Sequence, residues 1–405
     1  MADHPIDLRC ERAESPLAVD TARPRFAWRM DDSRRGAAQT ACQLRVARDE
    51  AVLRSAGGAG AGLCWDSGPV PGSACLEVEY AGIPLENWTR YVWTVRVRDE
   101  RGAWSGWADP ALFETTLLEG SPWPVSWIGA PDFTDVAACF RRDFELAVRP
   151  DRARLCVATP AWAEISVNGR RVDDRTHDPA WTDPNHRLLY STFDIGAFLE
   201  PGANTLGVML GNGWYRSSLF NTPHRCLPFS LLVMIWEEGR PRLCVGTNSR
   251  GWWASTQGPV RQNDIYNGEQ DDARCAMPGW DRPGFRMEPA GGWKPALPLE
   301  PPAGRLKAQA LEPIRPVEER VPLRSWALDE RTRVYDFGVN FSGRLRLVLR
   351  GIADAALRLR HAETVDAAGR LQVENLRCAA NTDRYVSRGD PREIFEPRFT
   401  GHGFR

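Results

Sequence analysis

The densest run of groups able to do chemistry is Asp264-Ile-Tyr-Asn-Gly-Glu-Gln-Asp-Asp-Ala-Arg274, four carboxyl side chains within eleven residues. A pair such as Asp264 and Glu269 has the makings of a general acid and base, and the Asp and Asn oxygens suit a hard cation such as Ca2+. The same run also reads as a structural turn whose acids are satisfied by Arg274 and by backbone N–H groups. The turn is the favoured expectation, because acid–base work needs a cleft and two carboxyls of separated pKa, neither of which spacing supplies. A second set combines Trp181, Trp214 and Tyr215 with Asp183, Asn185, Asn212 and Asn221. Sugars are held by aromatic faces against their C–H patches and by amide or carboxylate groups matched to neighbouring hydroxyls, and these two segments supply both. Equally, Trp181 and Trp214 could close the ends of a β-sandwich. His361 sits in a strand pattern and His402 lies between two glycines. Neither accompanies a nucleophile motif or an H-x-x-x-H pair, so core or hinge roles are expected for both. With no Walker loop and no G-x-G-x-x-G after a strand, phosphate and dinucleotide cofactors are not expected, and no cofactor is required.

Composition narrows the classes. In 405 residues, 52 Lys and Arg face 53 Asp and Glu, for a net charge of -1. The field that would draw the chain to nucleic acid or an anionic membrane is therefore missing, and neither partner is expected. Ten cysteines are scattered with no C-x-x-C pair, which reads as reduced, mostly buried small hydrophobes. The first ten residues have no basic n-region or apolar h-region, and no run reaches about 18 apolar residues, so a soluble, cytoplasmic chain is expected. The 17 tryptophans suit β-sandwich cores or sugar-stacking surfaces, with about two-thirds expected in cores.

The elements that must position these residues are strands. Tyr91, Trp93, Val95 and Val97 alternate with Val92, Thr94, Arg96 and Arg98, the period of a half-buried strand with one face in water. Short strands at this spacing make residues 1–120 a first sandwich, with one or two helical turns over Asp49–Arg54. In a second domain, 121–312, Leu155 and Val157 alternate with Arg154 and Cys156. Ile165 and Val167 likewise lead into Asn168-Gly169, the two positive-φ residues of a tight hairpin. Pro201-Gly-Ala-Asn204 marks another turn. From about Gly291 to Pro322 seven prolines predict an extended connector instead of packed elements. In a third region, 313–405, Leu345, Leu347 and Leu349 alternate with arginines, as do Leu357 and Leu359, predicting an antiparallel pair with Arg outward. The chain closes on Gly401-His-Gly-Phe-Arg405, which reads as a strand without a partner. The fold class expected is all-β.

Several segments together resemble one family. Ser166-Val-Asn-Gly-Arg-Arg-Val172, Pro179-Ala-Trp-Thr-Asp183, Leu210-Gly-Asn-Gly-Trp-Tyr215 and Asp264-Ile-Tyr-Asn-Gly-Glu269 are similar to the N-terminal domain of bacterial α-L-rhamnosidases, glycoside hydrolase family 78. Val334-Tyr-Asp-Phe-Gly-Val-Asn-Phe-Ser-Gly343, Leu359-Arg-His-Ala-Glu363 and Glu396-Pro-Arg-Phe-Thr-Gly-His-Gly-Phe-Arg405 resemble the β-sandwich that follows it, and Tyr91-Val-Trp93 with Trp104-Ser-Gly-Trp107 resembles the family's fibronectin-III-like module. The resemblance implies three consecutive β-sandwiches: fibronectin-III-like over 1–120, galactose-binding-like over 121–312, and an incomplete concanavalin-like sandwich over 313–405. It implies hydrolysis of terminal α-L-rhamnose from glycosides, with inversion, by two acids of an (α/α)6 barrel that follows the His-Gly-Phe-Arg segment. That barrel is absent from this sequence, so no catalytic residue carries over. The chain is expected to be non-catalytic scaffold or sugar-binding, the alternatives being a free-standing carbohydrate-binding protein or the remnant of a degenerate gene. Some family members hold rhamnose through calcium, which makes Asp183, Asn185 and Asn221 the candidate ligands here.

Overall fold

The computed structural model describes residues 4–54, 62–132, 135–218, 226–248, 250–288 and 291–405. They divide into two compact units, Met1–Pro124 with Lys307–Glu312, and Val125–Leu306 with Pro313–Arg405. Among the described residues the only α-helix is Glu50–Arg54, and nearly all other regular structure is strand.

In the first unit, strands Leu63–Asp66, Gln39–Ala47, Arg90–Asp99 and Ala111–Glu114 pair in that order, with Ile6–Cys10, Arg25–Arg29 and Val78–Glu79 forming a second, three-stranded sheet. The alternation in Arg90–Asp99 does what its period demands. Tyr91, Trp93, Val95 and Val97 are buried against Phe26, Trp28 and Phe113. The opposite face, expected in water, is instead partly roofed. Thr94 is buried, and the guanidinium of Arg96 lies 4.7 Å and 4.8 Å from the ring centroids of Trp104 and Trp107, with Arg45 4.6 Å from Trp107. Cation–π contacts of this kind contribute about 0.5–1 kcal/mol each, and they explain why two tryptophans sit next to the Asp99–Gly102 turn.

The second unit is built on two larger sheets. One runs Arg170–Arg171, Trp162–Val167, Gly202–Gly211, Ala138–Leu146, Trp253–Ser255, Lys294–Pro295, and the body of the other is Arg240–Gly246, Ser230–Glu237, Arg152–Ala158 and Arg187–Asp194. Ile165, Val167, Leu155, Val157, Val208, Leu231 and Val233 fill the space between them. Asn168 and Gly169 take φ of 53° and 77° and turn Trp162–Val167 back onto Arg170–Arg171. Asn168 does more than turn. Its amide donates to the Phe198 carbonyl and to Asn204 Oδ1, and its Oδ1 accepts from Thr205 N.

Three expectations change. Arg154 and Cys156 are buried along with Leu155 and Val157, because Arg152–Ala158 is a central strand paired on both sides. Arg154 reaches Asp194 Oδ1 at 2.9 Å. The proline-rich stretch is not wholly a connector. Lys294–Pro295 and Leu297–Leu299 are edge strands on Trp253–Ser255 and Trp127–Gly129, positions where proline's missing N–H faces away from the ladder. Finally, Leu347–Leu349 and Ala353–Arg360 do not pair with each other. The first pairs with Glu393–Phe395 and the second with Thr382–Arg388, although Arg358 and Arg360 do face outward.

The closing residues also have a partner. His402–Phe404 pairs antiparallel with Phe341–Gly343, and Phe404 packs its ring 4.5 Å from Phe341 and 5.7 Å from Phe337.

Candidate functional site

Strands Val260–Asp264 and Gly268–Asp272 form a hairpin, and Gly268–Asp272 then pairs in parallel with Thr382–Arg388. Asp264 caps the turn, its Oδ1 accepting from Tyr266 N and Asn267 N at 2.8 Å and 2.9 Å while Oδ2 accepts from Ser218 N. Gly268 has φ of 92° and a Cβ there would lie 2.2 Å from the Thr382 carbonyl oxygen, so only glycine lets the strands approach. Glu269 is completely buried. Its carboxyl accepts from the backbone N–H groups of Arg398 and Phe399 at 2.9–3.1 Å. Burial pushes its pKa to about 8, against the pull of those two donors, and burial likewise raises Asp271 to about 6. Asp272 pairs with Arg274 at 2.8 Å. The turn reading of this run therefore describes Asp264 and Asp272, and Glu269 is a buried carboxyl held by backbone N–H groups.

A second polar group lies on the same sheet. Asn381 Oδ1 is 2.5 Å from His402 Nδ1, and the Asn381 carbonyl oxygen is 3.3 Å from His361 Nδ1. Because Asn381 Nδ2 donates to the His361 carbonyl, its Oδ1 must accept, which puts a proton on His402 Nδ1. His402 Nε2 is 3.0 Å from both oxygens of Asp383, and Asp383 Oδ1 also accepts from Glu269 N. His361 Nε2 stands 4.0 Å from Asp383 Oδ2 and makes no hydrogen bond. Burial, then the neighbouring His402, lowers His361 to about 4.

Among the described residues, His361, Asp383 and His402 form a group with metal-ligand potential, their ligand atoms lying within 4.8 Å of one another. The rings, however, stack with centroids 4.1 Å apart and planes 20° from parallel. Asp383 is already engaged, by His402 Nε2 at 3.0 Å and by Glu269 N at 2.9 Å. We describe the group as a hydrogen-bonded clasp, which places both histidines in the core.

The sugar-type set is divided by the structure. Trp181 is the one exposed tryptophan of the seventeen, at 55%. Its ring lies 5.8 Å from that of Trp214 at 43°, and Trp214 meets Tyr266 edge-on at 5.7 Å. Tyr266 was not legible as a member of this group, since its local sequence signals only a turn. Asp183 and Asn185 are exposed, with Asp183 Oδ1 accepting from Asn185 N at 2.9 Å. Asn212 is buried instead, its N and Nδ2 donating to Oδ1 and O of Asn263 at 2.6 Å and 2.7 Å. Tyr215 packs against the apolar core of the large sandwich. Asn221 lies outside the described residues. Asp183 and Asn185 offer three side-chain oxygens between them, where Ca2+ takes six to eight.

Comparison with known proteins decides the family. Residues 5–119 match the Rha78A-like N-terminal immunoglobulin domain, 148–318 the α-L-rhamnosidase N-terminal domain, and 327–405 the bacterial α-L-rhamnosidase concanavalin-like domain. The chain belongs to the α-L-rhamnosidase family. It is 29% identical to an α-L-rhamnosidase of Alteromonas sp. (strain LOR), covering 100% of this chain and 45% of that protein. An α-L-rhamnosidase of Streptomyces avermitilis is 26% identical over 98% of this chain and 54% of its own length. The solved α-L-rhamnosidase of Dictyoglumus thermophilum superposes with a TM-score of 0.89 at 31% identity, over 99% of this chain and 46% of that one. The chain thus spans about half the length of the relatives it matches, covering their N-terminal portion. The family's domain limits also explain the hairpin at Glu269. Gly268–Asp272 lies in the rhamnosidase N-terminal domain, yet it completes a sheet with Thr382–Arg388 of the concanavalin-like domain.

Proposed function

We propose that this chain is the non-catalytic N-terminal scaffold of an α-L-rhamnosidase whose whole length removes terminal α-L-rhamnose from glycosides with inversion. The observation that carries the scaffold role is the fate of the acids between Asp264 and Asp272. Asp264 and Glu269 spend their oxygens on backbone N–H groups and Asp272 spends its own on Arg274, whereas an inverting pair needs two carboxyls flanking an open, water-filled gap. Incubating the 405-residue chain with an aryl α-L-rhamnoside tests this. Release at the buffer rate is expected, and turnover at enzyme-like rates would overturn it.

A second reading, sugar binding by this portion, is favoured by the exposed Trp181 beside Trp214 and next to Asp183 and Asn185. Calorimetry with L-rhamnose, with and without chelator, separates the cases. Heat lost on chelation points to calcium completed by further ligands, heat that survives points to the aromatic surface alone, and no heat leaves the scaffold role. No helix among the described residues is long and apolar enough to cross a membrane.

A further inference from the structure

Across the four-stranded sheet, Gln262, Gln270, Arg384 and Arg358 stand in one row, each opposite the next in the strand register. Arg360 stands one step along the same face, opposite Thr382. Two arginines placed directly across an antiparallel pair repel each other at about 5 Å, and no ion pair with a described residue relieves any of these three. Several other arginines of this region are neutralised. Arg324 and Arg405 share Asp336, and Arg344 and Arg346 share Glu396. The row lines a pocket of about 290 Å³, the size of a single sugar ring with its substituents and at the lower end for small-molecule sites.

We propose that this pocket binds the carboxylate-bearing ring of an acidic saccharide. Arg358 and Arg384, opposite each other on the pocket wall, would offer two planar forks to one carboxylate, a recognition in which guanidinium groups outperform a point charge. Arg360 adds to the local positive potential. The amides of Gln262 and Gln270, one of which already donates to the other, offer the donors and acceptors that ring hydroxyls require. Bound anion removes the repulsion across the strands, so ligand and sheet stabilise each other. The pocket lining shares no residue with the Trp181, Trp214 and Tyr266 group, and the proposal does not depend on the rhamnosidase reading.

Isothermal titration of the 405-residue chain with a methyl galactosiduronate, with methyl α-L-rhamnoside and with sodium sulfate tests the proposal. The uronide should bind in the millimolar range, and more weakly when salt is raised from about 20 to about 200 mM. The neutral rhamnoside should not compete for the pocket, and sulfate should bind more weakly than the uronide. The double variant R358Q/R384Q should lose uronide binding by roughly tenfold or more. It should melt no lower than the parent, since it relieves like-charge repulsion, so lost binding would not reflect lost folding. W181A should leave uronide binding unchanged. Absence of uronide binding, sulfate binding as tight as the uronide, or unchanged affinity in the double variant would each overturn the proposal.

Discussion

Around Trp93 the first unit packs ring on ring, with Phe26 4.4 Å from Trp93 and 5.8 Å from Phe113, while around Glu269 the second unit fills its interior with carboxyls, imidazoles and an Asn side chain. The first interior tolerates even a buried indole N–H of Trp93 without a partner. In the second, Glu269, Asp383, Asn381 and His402 are tied to one another or to the backbone, while His361 Nε2 beside them has no hydrogen bond. Apolar packing is insensitive to pH and salt and forgiving in direction. A buried polar clasp is directional, joins segments remote in sequence, and depends on protonation.

The sharpest way to break the comparison is to remove the centre of each interior. Trp93→Ala should cost roughly 3–5 kcal/mol, equally at all pH values where the carboxylates stay charged. Asp383→Ala should cost about 3–5 kcal/mol, because it strands Glu269 N and the His402 imidazole, and its cost should vary with pH because the neighbouring Glu269 and His361 titrate at shifted values. Urea unfolding followed separately by fluorescence and circular dichroism checks both. Loss of equal size at every pH for the two variants would erase the distinction.

Protonation gives a smaller effect with a defined sign. Glu269, at about 8 in the fold against an ordinary 4.5, holds its proton when folded. Its contribution is full below the unfolded value and is lost as pH climbs through 8, at most ~1.4 kcal/mol per pH unit in that window. His361, at about 4 against an ordinary 6.5, is neutral in the fold, and stability present above 6.5 is lost as pH falls toward 4. Urea midpoints from about pH 5 to 9 should therefore decline on the alkaline side, and Glu269→Gln should flatten that decline. An equally steep decline in the variant would remove Glu269 as its source. The smallest effect belongs to the surface. Trp181→Ala should change stability by no more than about 0.5 kcal/mol, and a thermal melt showing a larger loss would mean that Trp181 is a structural closure.

What sequence made legible was local. The buried face of Tyr91–Val97 and the Asn168-Gly169 turn are written in adjacent residues and appear as expected, whereas the tryptophan roof over the strand's other face is not. Strand partners are not written that way. Period two tells which face of Leu347–Leu349 is apolar, but not that it will pair with Glu393–Phe395. The proline-rich stretch misled for a related reason, because proline forbids a central ladder position and permits an edge. At the candidate site, Asp264 and Glu269 showed their turn chemistry at once. Their true partners, Ser218, Arg398 and Phe399, lie from 46 to 130 residues away and have no local signal. Asn212 has the residue type of a sugar ligand and the location of a core clasp, a distinction that burial alone reveals.

Phe399 rests on Gly211 so closely that a Cβ there would fall 2.1 Å from its ring. Gly211 ends a strand of the rhamnosidase N-terminal domain, and Phe399 belongs to the concanavalin-like domain. Recombination that lent one of these domains to a different gene would bare an aromatic socket on one product and leave a greasy plug on the other. The two are in effect a single inherited piece, free to diverge on their surfaces and bound to travel together.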